Sequence, residues 1–309
     1  MAAFSLVVRS VEPAGDGVLS FALAPPGGGG LPPFVPGSHL VVHCGERRRN
    51  AYSLTGSGAP SAEYRISVLR ESADGGSAWM HRLSAGDEVT AEGPRSAFPP
   101  VATARHHVLI AGGIGVTPLL SHARAAVEWG RSFTMFYAHR TGAHADELRE
   151  LCGERLREFS GRDEFTAALR DALVSQPLGT HAYVCGPSGL IDAVCGLAAG
   201  AGWPEQRVHV ERFSTDDLEP GRPFTARLAR SGIEVEVPSG VSLLEALERA
   251  GVEVPHMCRQ GVCGECRVGV LSGRPEHRDL FLSEGERAAG DAMMCCVSRA
   301  LDGKVEVDL

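Results

Sequence analysis

The stretch at residues 258–273, "CRQGVCGECRVGVLSG", sets Cys258, Cys263 and Cys266 in a row with four and then two residues between them. Gly261 and Gly264 inside it leave the backbone free to curl and to aim N–H groups inward. Cys-x4-Cys-x2-Cys is the spacing of a plant-type [2Fe-2S] site, which calls for a fourth cysteine farther along. Each iron takes two thiolates, so four sulfurs are needed. Cys295 and Cys296 both lie about one hairpin downstream, and spacing does not choose between them. Structural zinc usually takes two close pairs of ligands, and only one close pair stands here.

The frame around that loop is ordinary. The chain has 309 residues, 43% hydrophobic and 22% charged, which suits two or three domains with real cores. A formal net charge of -8 argues against nucleic acid, whose phosphates need basic patches. The one basic cluster, "RRR" at residues 47–49, reads equally well as a solvated strand end. The opening "MAAFSLVVRS" shows no export-signal pattern, and no apolar run reaches the roughly 18 residues of a membrane span. Nine cysteines are therefore expected in a reducing, cytoplasmic compartment, as ligands, catalytic groups or core rather than a disulfide framework.

Three segments differ in texture. Residues 1–100 read as an antiparallel β-barrel or sandwich, from short runs such as "FSLVVRSVEP", "VLSFALAPP", "HLVVHC", "AYSLTG" and "YRISVLRE" closed by turn residues. Residues 101–222 alternate strand and helix, which implies a doubly wound parallel sheet. "HHVLIAGG", "FTMFYAHR", "HAYVCGP" and "RVHVERF" are its strands. Helices are expected at "PLLSHARAAVEWG", with Thr117 as cap, Pro118 first and Gly130 as terminator, then across "DELRELCGERLREFS" and "SGLIDAVCGLAAGAG". After the connector "STDDLEPGRP", residues 223–309 read as a small α+β unit. It has a hairpin across "RSG", a helix with a Ser242/Glu245 capping box ended by Gly251, the cysteine loop, and a final strand "KVEVDL".

"LIAGGIGVTPLL" follows a buried strand and opens a helix, where glycines admit a pyrophosphate and the helix start offers free N–H groups. It is not the G-x-G-x-x-G fingerprint, because Pro118 takes the third glycine's place. A second strand ends in Gly186-Pro187 at the same expected sheet edge, which is where such sheets bind ligands. Cys185 beside it reads as a site residue or as core cysteine.

"AYSL", "GGS", "AGGIGVTP", "CGP", "ERF", the cysteine set and "CVSRA" occur in an order that resembles the phthalate dioxygenase reductase family, over nearly the whole chain. That family belongs to the ferredoxin–NADP reductase superfamily and carries a C-terminal plant-type ferredoxin domain. The resemblance implies a flavin β-barrel, an α/β nucleotide domain and a β-grasp ferredoxin domain. It makes the cysteine before Val-Ser-Arg the fourth ligand, so the metal set becomes Cys258, Cys263, Cys266 and Cys296, with Cys295 as packing.

Residue by residue, the resemblance puts Tyr52 and Ser53 of the Ala51-Tyr52-Ser53 run against the flavin ring. Backbone groups of Val68 and Leu69 would flank it, and Gly75, Gly76 and Ser77 would cradle its phosphate. Gly112, Gly113, Gly115, Thr117, Pro118, Gly186 and Pro187 would hold the nicotinamide nucleotide, with Cys185 and Glu211 at the meeting point of the two rings. Taken singly, each also reads as a turn or core residue. One departure stands out: the superfamily's Arg-x-Tyr-Ser becomes Asn50-Ala51-Tyr52-Ser53, with Arg49 one place early and, by strand alternation, on the opposite face. Either Arg49 reaches the flavin phosphate through a bulge, or Asn50 and other groups take its place.

Nicotinamide gives up two electrons as a hydride and the cluster takes one, so a flavin between them converts one currency into the other. The resemblance implies FMN rather than FAD, NADH rather than NADPH (with Arg140 as the one candidate for a 2′-phosphate), and Ser53 and Cys185 as positioning groups. It also implies a monomer serving a separate terminal oxygenase of Rieske type, with a cytochrome P450 as the second possibility. Two other readings are a stand-alone flavin or ferric reductase and a non-enzymatic iron–sulfur sensor. His277, Arg278 and Asp279 are expected near the cluster's exit or in a purely structural role.

Overall fold

Alternating apolar residues separated by glycine and proline turns build the first sheet. The computed structural model describes residues 3–309 apart from 46, 47, 72, 74, 97, 141 and 214–217, so Arg47 of the basic cluster lies outside the described residues. Strands β1 (Phe4–Gly15), β2 (Val18–Ala24), β3 (Ser38–His43), β4 (Arg49–Ser53) and β5 (Tyr64–Leu69) precede a short helix α1 (Gly76–Met80) and β6 (Glu88–Ser96). Their order is β4-β3-β6-β1-β2-β5, with every pairing antiparallel. The sheet curls shut where Leu54 bridges Ile66 and the Thr55 N–H donates to the Arg65 carbonyl at 2.9 Å. Leu6, Phe21, Leu23, Leu40, Leu54 and Ile66 fill the barrel and are fully buried. Strand β6 is a strand the sequence conceals: its charged and Gly-Pro residues resemble a loop, yet Val89 and Ala91 alternate into the core.

The second sheet is parallel throughout, in the order β11-β10-β7-β8-β9. Its elements are β7 (His106–Gly112), α2 (Val116–Glu128), β8 (Phe133–Ala138), α3 (Ala145–Cys152), β9 (Leu156–Phe159), α4 (Arg162–Val174), β10 (Thr180–Cys185), α5 (Ser188–Gly200) and β11 (Val208–Glu211). Helices α4 and α5 cover one face over Val108, Ile110, Ala182 and Val184. Helix α2 lies on the other, where the His122 ring is 5.0 Å from that of Tyr183.

Two expectations need correction here. The helix expected across residues 146–160 stops at Cys152; Gly153, at φ 53°, breaks it, and the chain re-enters the sheet as edge strand β9. Helix α2 begins at Val116 after a 3-10 turn (Gly113–Gly115), so Pro118 is its third residue. Thr117 is not the cap: its hydroxyl donates to the Ile114 carbonyl at 3.1 Å. Proline is still tolerated there, because first-turn N–H groups lack intrahelical partners.

The chain divides after Arg212, and the second unit has its own sheet. Strands β12 (Phe224–Leu228) and β13 (Glu234–Val237), helix α6 (Leu243–Arg249), β14 (Arg267–Glu276), α7 (Glu284–Ala289), β15 (Ala292–Met294) and β16 (Arg299–Val307) follow in turn. The order is β13-β12-β16-β14-β15, with the first and last strands of the unit, β12 and β16, parallel at the centre. This is a β-grasp sheet, with α6 packed on it through Leu243, Leu244 and Leu247. The capping box at α6 is half made: Ser242 accepts from the Glu245 N–H at 3.1 Å, but the Glu245 carboxylate bonds Arg249 at 2.6 Å. A complete box caps α7 instead, between Ser283 and Glu286. No helix among the described residues is long and apolar enough to cross a membrane.

Candidate functional site

Among the described residues no three histidine, cysteine or carboxylate side chains converge as they would on a single metal ion. The cysteines instead form two pairs. Cys258 and Cys263 are hydrogen-bonded to each other, and the Cys266 and Cys296 sulfurs stand 3.1 Å apart. The first pair is half-buried and the second buried. Within each group the contacts split the thiols: Cys258, bonded to Cys263, is pulled down while Cys263 is pushed up, and Cys266, bonded to Cys295 and Cys296, is pulled down while those two are pushed up. Backbone N–H groups converge on the same sulfurs: Gln260 donates to Cys258 Sγ at 3.3 Å, and Gly261 donates to Cys296. Two pairs of thiols, one member of each drawn toward the thiolate by its partner and met by backbone N–H donors, fit a two-iron cluster with two thiolates per iron.

The two candidates for a fourth ligand differ in what they reach. Cys296 lies within electrostatic range of both Cys258 and Cys266, whereas Cys295 meets only Cys266 and Cys296. Asp279, fully shielded, accepts from the Phe281 and Leu282 N–H groups at 3.1 and 2.8 Å. It thereby holds a loop whose Leu280 N–H donates to Gly261 at 2.9 Å and whose Phe281 ring presses on Gly264. Arg278 is tied to Glu276 at 2.7 Å and to the Glu219 carbonyl. Asp279 and Arg278 thus brace the loop beside the cysteines.

In the barrel, alternation along β4 sends Arg49, Ala51 and Ser53 one way and Asn50 and Tyr52 the other. Arg49 turns to Glu92 at 3.3 Å, a carboxylate also held by His43 at 3.0 Å and Arg95 at 2.8 Å. Those hydrogen bonds, led by His43, keep Glu92 below the usual carboxylate range. Asn50 instead abuts the start of α1: a Cβ on Gly76 would come within 2.5 Å of its side chain. Gly75, at φ 116°, and the buried Ser77 complete that turn. Tyr52 packs on the barrel core, its hydroxyl 3.9 Å from Cys44 Sγ, and burial pushes its phenol well up. Ser53, Val68 and Ser77 are all buried. The Val68 carbonyl already bonds His81 Nε2 at 2.9 Å, a partner that sequence reasoning missed.

At the carboxyl edge of the parallel sheet, Cys185 pairs with Ala111 on one side and Glu211 on the other. The approach is close: a Cβ on Gly115 would overlap the Cys185 carbonyl, and Gly112 packs on Gly186 and Pro187. Cys185 is fully buried, which drives its thiol well up. Glu211 Oε2 is buried without a partner, and burial raises the carboxyl to about 8. Arg140 is exposed just past the end of β8. Neither of two sizeable clefts in this unit takes in the Gly112–Cys185 edge. One is lined by His107, Leu109, His122 and Trp129, and the other by Thr55, Arg65, Arg124, His144 and Glu147.

Comparison with known proteins agrees in outline. Residues 88–208 match the family model "Dimethylamine monooxygenase subunit DmmA-like, N-terminal domain", and residues 226–301 match "2Fe-2S iron-sulfur cluster binding domain". The chain is 44% identical over 285 residues to the heme-dependent oxidative N-demethylase beta subunit of Ectopseudomonas mendocina, covering 90% of each. It is 35% identical over 319 residues to phthalate dioxygenase reductase of Burkholderia cepacia, covering 98% of this chain and 97% of that one. The solved structure of a phthalate dioxygenase reductase, a modular structure for electron transfer from pyridine nucleotides to [2Fe-2S], superposes with a TM-score of 0.82 at 34% identity. It covers 100% of this chain and 98% of that one.

Proposed function

The chain belongs to the phthalate dioxygenase reductase family, and from that membership we propose that it takes electrons from NADH and delivers them through FMN and the [2Fe-2S] cluster to a separate terminal oxygenase. The observation that carries this reading is the presence in one chain of two thiol pairs and a tightly closed Gly-rich edge on a parallel sheet. When bound, the flavin accepts a hydride's two electrons and releases them one at a time to the cluster.

The residues divide the work. Cys258 with Cys263, and Cys266 with Cys296, hold one iron each. Asn50, Gly75, Gly76 and Ser77 take the flavin phosphate, while Tyr52, Ser53, Val68 and Leu69 line its ring. Asn50 brings an amide where the superfamily has a guanidinium, a weaker grip on a phosphate. Gly112, Gly113, Gly115, Thr117, Pro118, Gly186 and Pro187 take the nucleotide, using close backbone approach and the unpartnered N–H groups at the start of α2. Cys185 and Glu211 shape the place where the rings meet, with no proton to move. Arg140 follows β8 with no lysine or second arginine at 139, 141 or 142, which supports NADH over NADPH. Domain limits at 100/101 and 222/223 are part of this reading.

The Rieske-type acceptor is the finer form of the proposal. A haem-containing, N-demethylating oxygenase is the second reading, favoured by the 44% identity to an oxidative N-demethylase subunit and by the dimethylamine monooxygenase model. The test begins with an anaerobic visible spectrum titrated with NADH and, separately, NADPH. Overlapping flavin and iron–sulfur bands, both bleached by NADH first, are expected; a colourless protein, or one that NADH leaves unbleached, overturns the proposal. Mixing the reduced protein with a Rieske or a haem oxygenase component then identifies which one is reduced.

A further inference from the structure

We infer that His144 is a positioning residue for hydride transfer, fastening the flavin barrel to the nucleotide lobe; this rests on the proposed passage of a hydride from nicotinamide to flavin. His144 stands just before α3 in a left-handed conformation, φ 56° and ψ 17°. A non-glycine residue keeps such a conformation only where its surroundings over-determine it, and every polar group of His144 toward the barrel is engaged. Its N–H donates to the Ala14 carbonyl at 2.8 Å, at the end of β1. Its Nε2 lies 2.8 Å from Ser67 Oγ on β5, and its Nδ1 lies 2.9 Å from Glu147 Oε2. A carboxylate only accepts, so Nδ1 carries the proton, and in the neutral ring Nε2 accepts from the Ser67 hydroxyl.

The grip extends beyond one side chain. Glu147 also pairs with Arg124 of α2, whose other nitrogen donates to the Thr55 carbonyl at 2.7 Å. One turn earlier on α2, Ser121 donates to the Gly56 carbonyl at 2.6 Å. Two helices of the nucleotide lobe thus hold three barrel segments: the end of β1, the middle of β5 and the turn after β4. Ser67 precedes Val68 and Leu69, and Thr55 follows Ser53 by two residues, so the held segments are continuous with the flavin-side residues. Ser121 in turn lies five residues, about 8 Å, from the start of α2, where the nucleotide loop ends. The latch therefore sets how the two sides meet, and a displacement of about 1 Å between reacting groups can cost about a hundredfold in rate.

The test uses the full flavin- and cluster-loaded protein in anaerobic stopped flow with NADH. Ser67→Ala removes one hydroxyl; His144→Asn keeps a residue that tolerates the left-handed conformation but cannot span both partners. Each is expected to slow flavin reduction about tenfold or more. Nucleotide Kd is expected within about threefold of the parent, flavin content unchanged, and the long-wavelength absorbance of the stacked nucleotide and flavin weakened. The double variant is expected to be no slower than the slower single one, since both break the same bond. Full-speed reduction in Ser67→Ala, whatever His144→Asn does, overturns the proposal and leaves the imidazole as a structural prop. If the parent protein's flavin is reduced by neither NADH nor NADPH, the functional reading fails and this one with it. Normal parent reduction with unaffected variants sinks the positioning role alone.

Discussion

The Cys266 and Cys296 sulfurs stand 3.1 Å apart, while the neighbouring Cys295 is fastened by its backbone, donating its N–H to Cys266 at 3.1 Å and accepting from Leu244 at 2.8 Å. Both side chains reach Cys266, but only Cys296 also lies near Cys258, so Cys296 is assigned as the ligand and Cys295 as packing in the proposed reading. Cys296→Ser is expected to lose the iron–sulfur absorbance while keeping the flavin. Cys295→Ser is expected to keep both, at a stability cost of about 1–3 kcal/mol for a hydroxyl in an apolar site. Iron content per chain and thermal melting check the pair; loss of the cluster in Cys295→Ser alone reverses the assignment.

Asn50 and Arg49 part company in the same way. Because Asn50 abuts Gly76 and Arg49 is committed to Glu92, Gly76→Ala is expected to expel the flavin, with at least a tenfold rise in Kd. Arg49→Ala is expected to change flavin affinity less than threefold, since the charge it removes serves Glu92. Restoring the superfamily arrangement with Asn50→Arg is expected to tighten binding, and unchanged or weaker binding would show that the space beside Gly76 does not admit a guanidinium. Fluorescence titration of flavin-stripped protein measures all three.

How much of this could be read beforehand depends on how local the signal was. The cysteine loop and the Gly-rich turn speak through spacing and small residues, and the buried strands β7, β8 and β10 are continuous apolar runs, so all of them were expected. Strand β9 was not, because "LREF" continues a helical pattern and becomes a strand only through its pairing with β8. Strand β6 hides its two core residues among charges and a Gly-Pro pair. The His144, Glu147 and Arg124 network joins segments far apart in the chain, from Arg124 with Glu147 to His144 with Ala14, and no pattern along the chain announces it. The same holds for Asn50: alternation put Arg49 and Asn50 on opposite faces, but only packing shows that Gly76 meets the second.

Gly115 is a position where backbone touches backbone. A Cβ there would overlap the Cys185 carbonyl and lie 2.6 Å from the Gly186 nitrogen, whereas a Cβ on Gly189, in α5, would meet nothing within 4 Å. Gly115→Ala is therefore expected to force the β7 and β10 ends apart and weaken nucleotide binding tenfold or more, with cluster and flavin retained. Gly189→Ala is expected to be neutral or to stabilise by about 0.5–1 kcal/mol. Calorimetric titration with NADH separates the two.

Glu211 contributes a pH dependence opposite in sign to that of the buried histidines His39, His107 and His122, whose rings burial lowers to about 4. Its carboxyl is raised from 4.5 to about 8 by burial, with Oε2 unpartnered. Between those values this carboxyl is ionised in the unfolded chain and protonated in the folded one, so its contribution to stability falls as pH rises from about 4.5 to 8. Below the window both states are protonated, and above it both are ionised, so the loss is complete. Glu211→Gln cannot ionise. It is expected to match the parent near pH 4.5 and to exceed it at pH 8 by on the order of 1–2 kcal/mol, a gain of a few degrees in melting temperature. Melting curves of the two proteins in matched ionic strength, taken at half-unit steps from pH 5 to 9, carry the test. Parallel curves across that range would mean that Glu211 is already ionised in the folded protein and that its buried oxygen has a partner in solution.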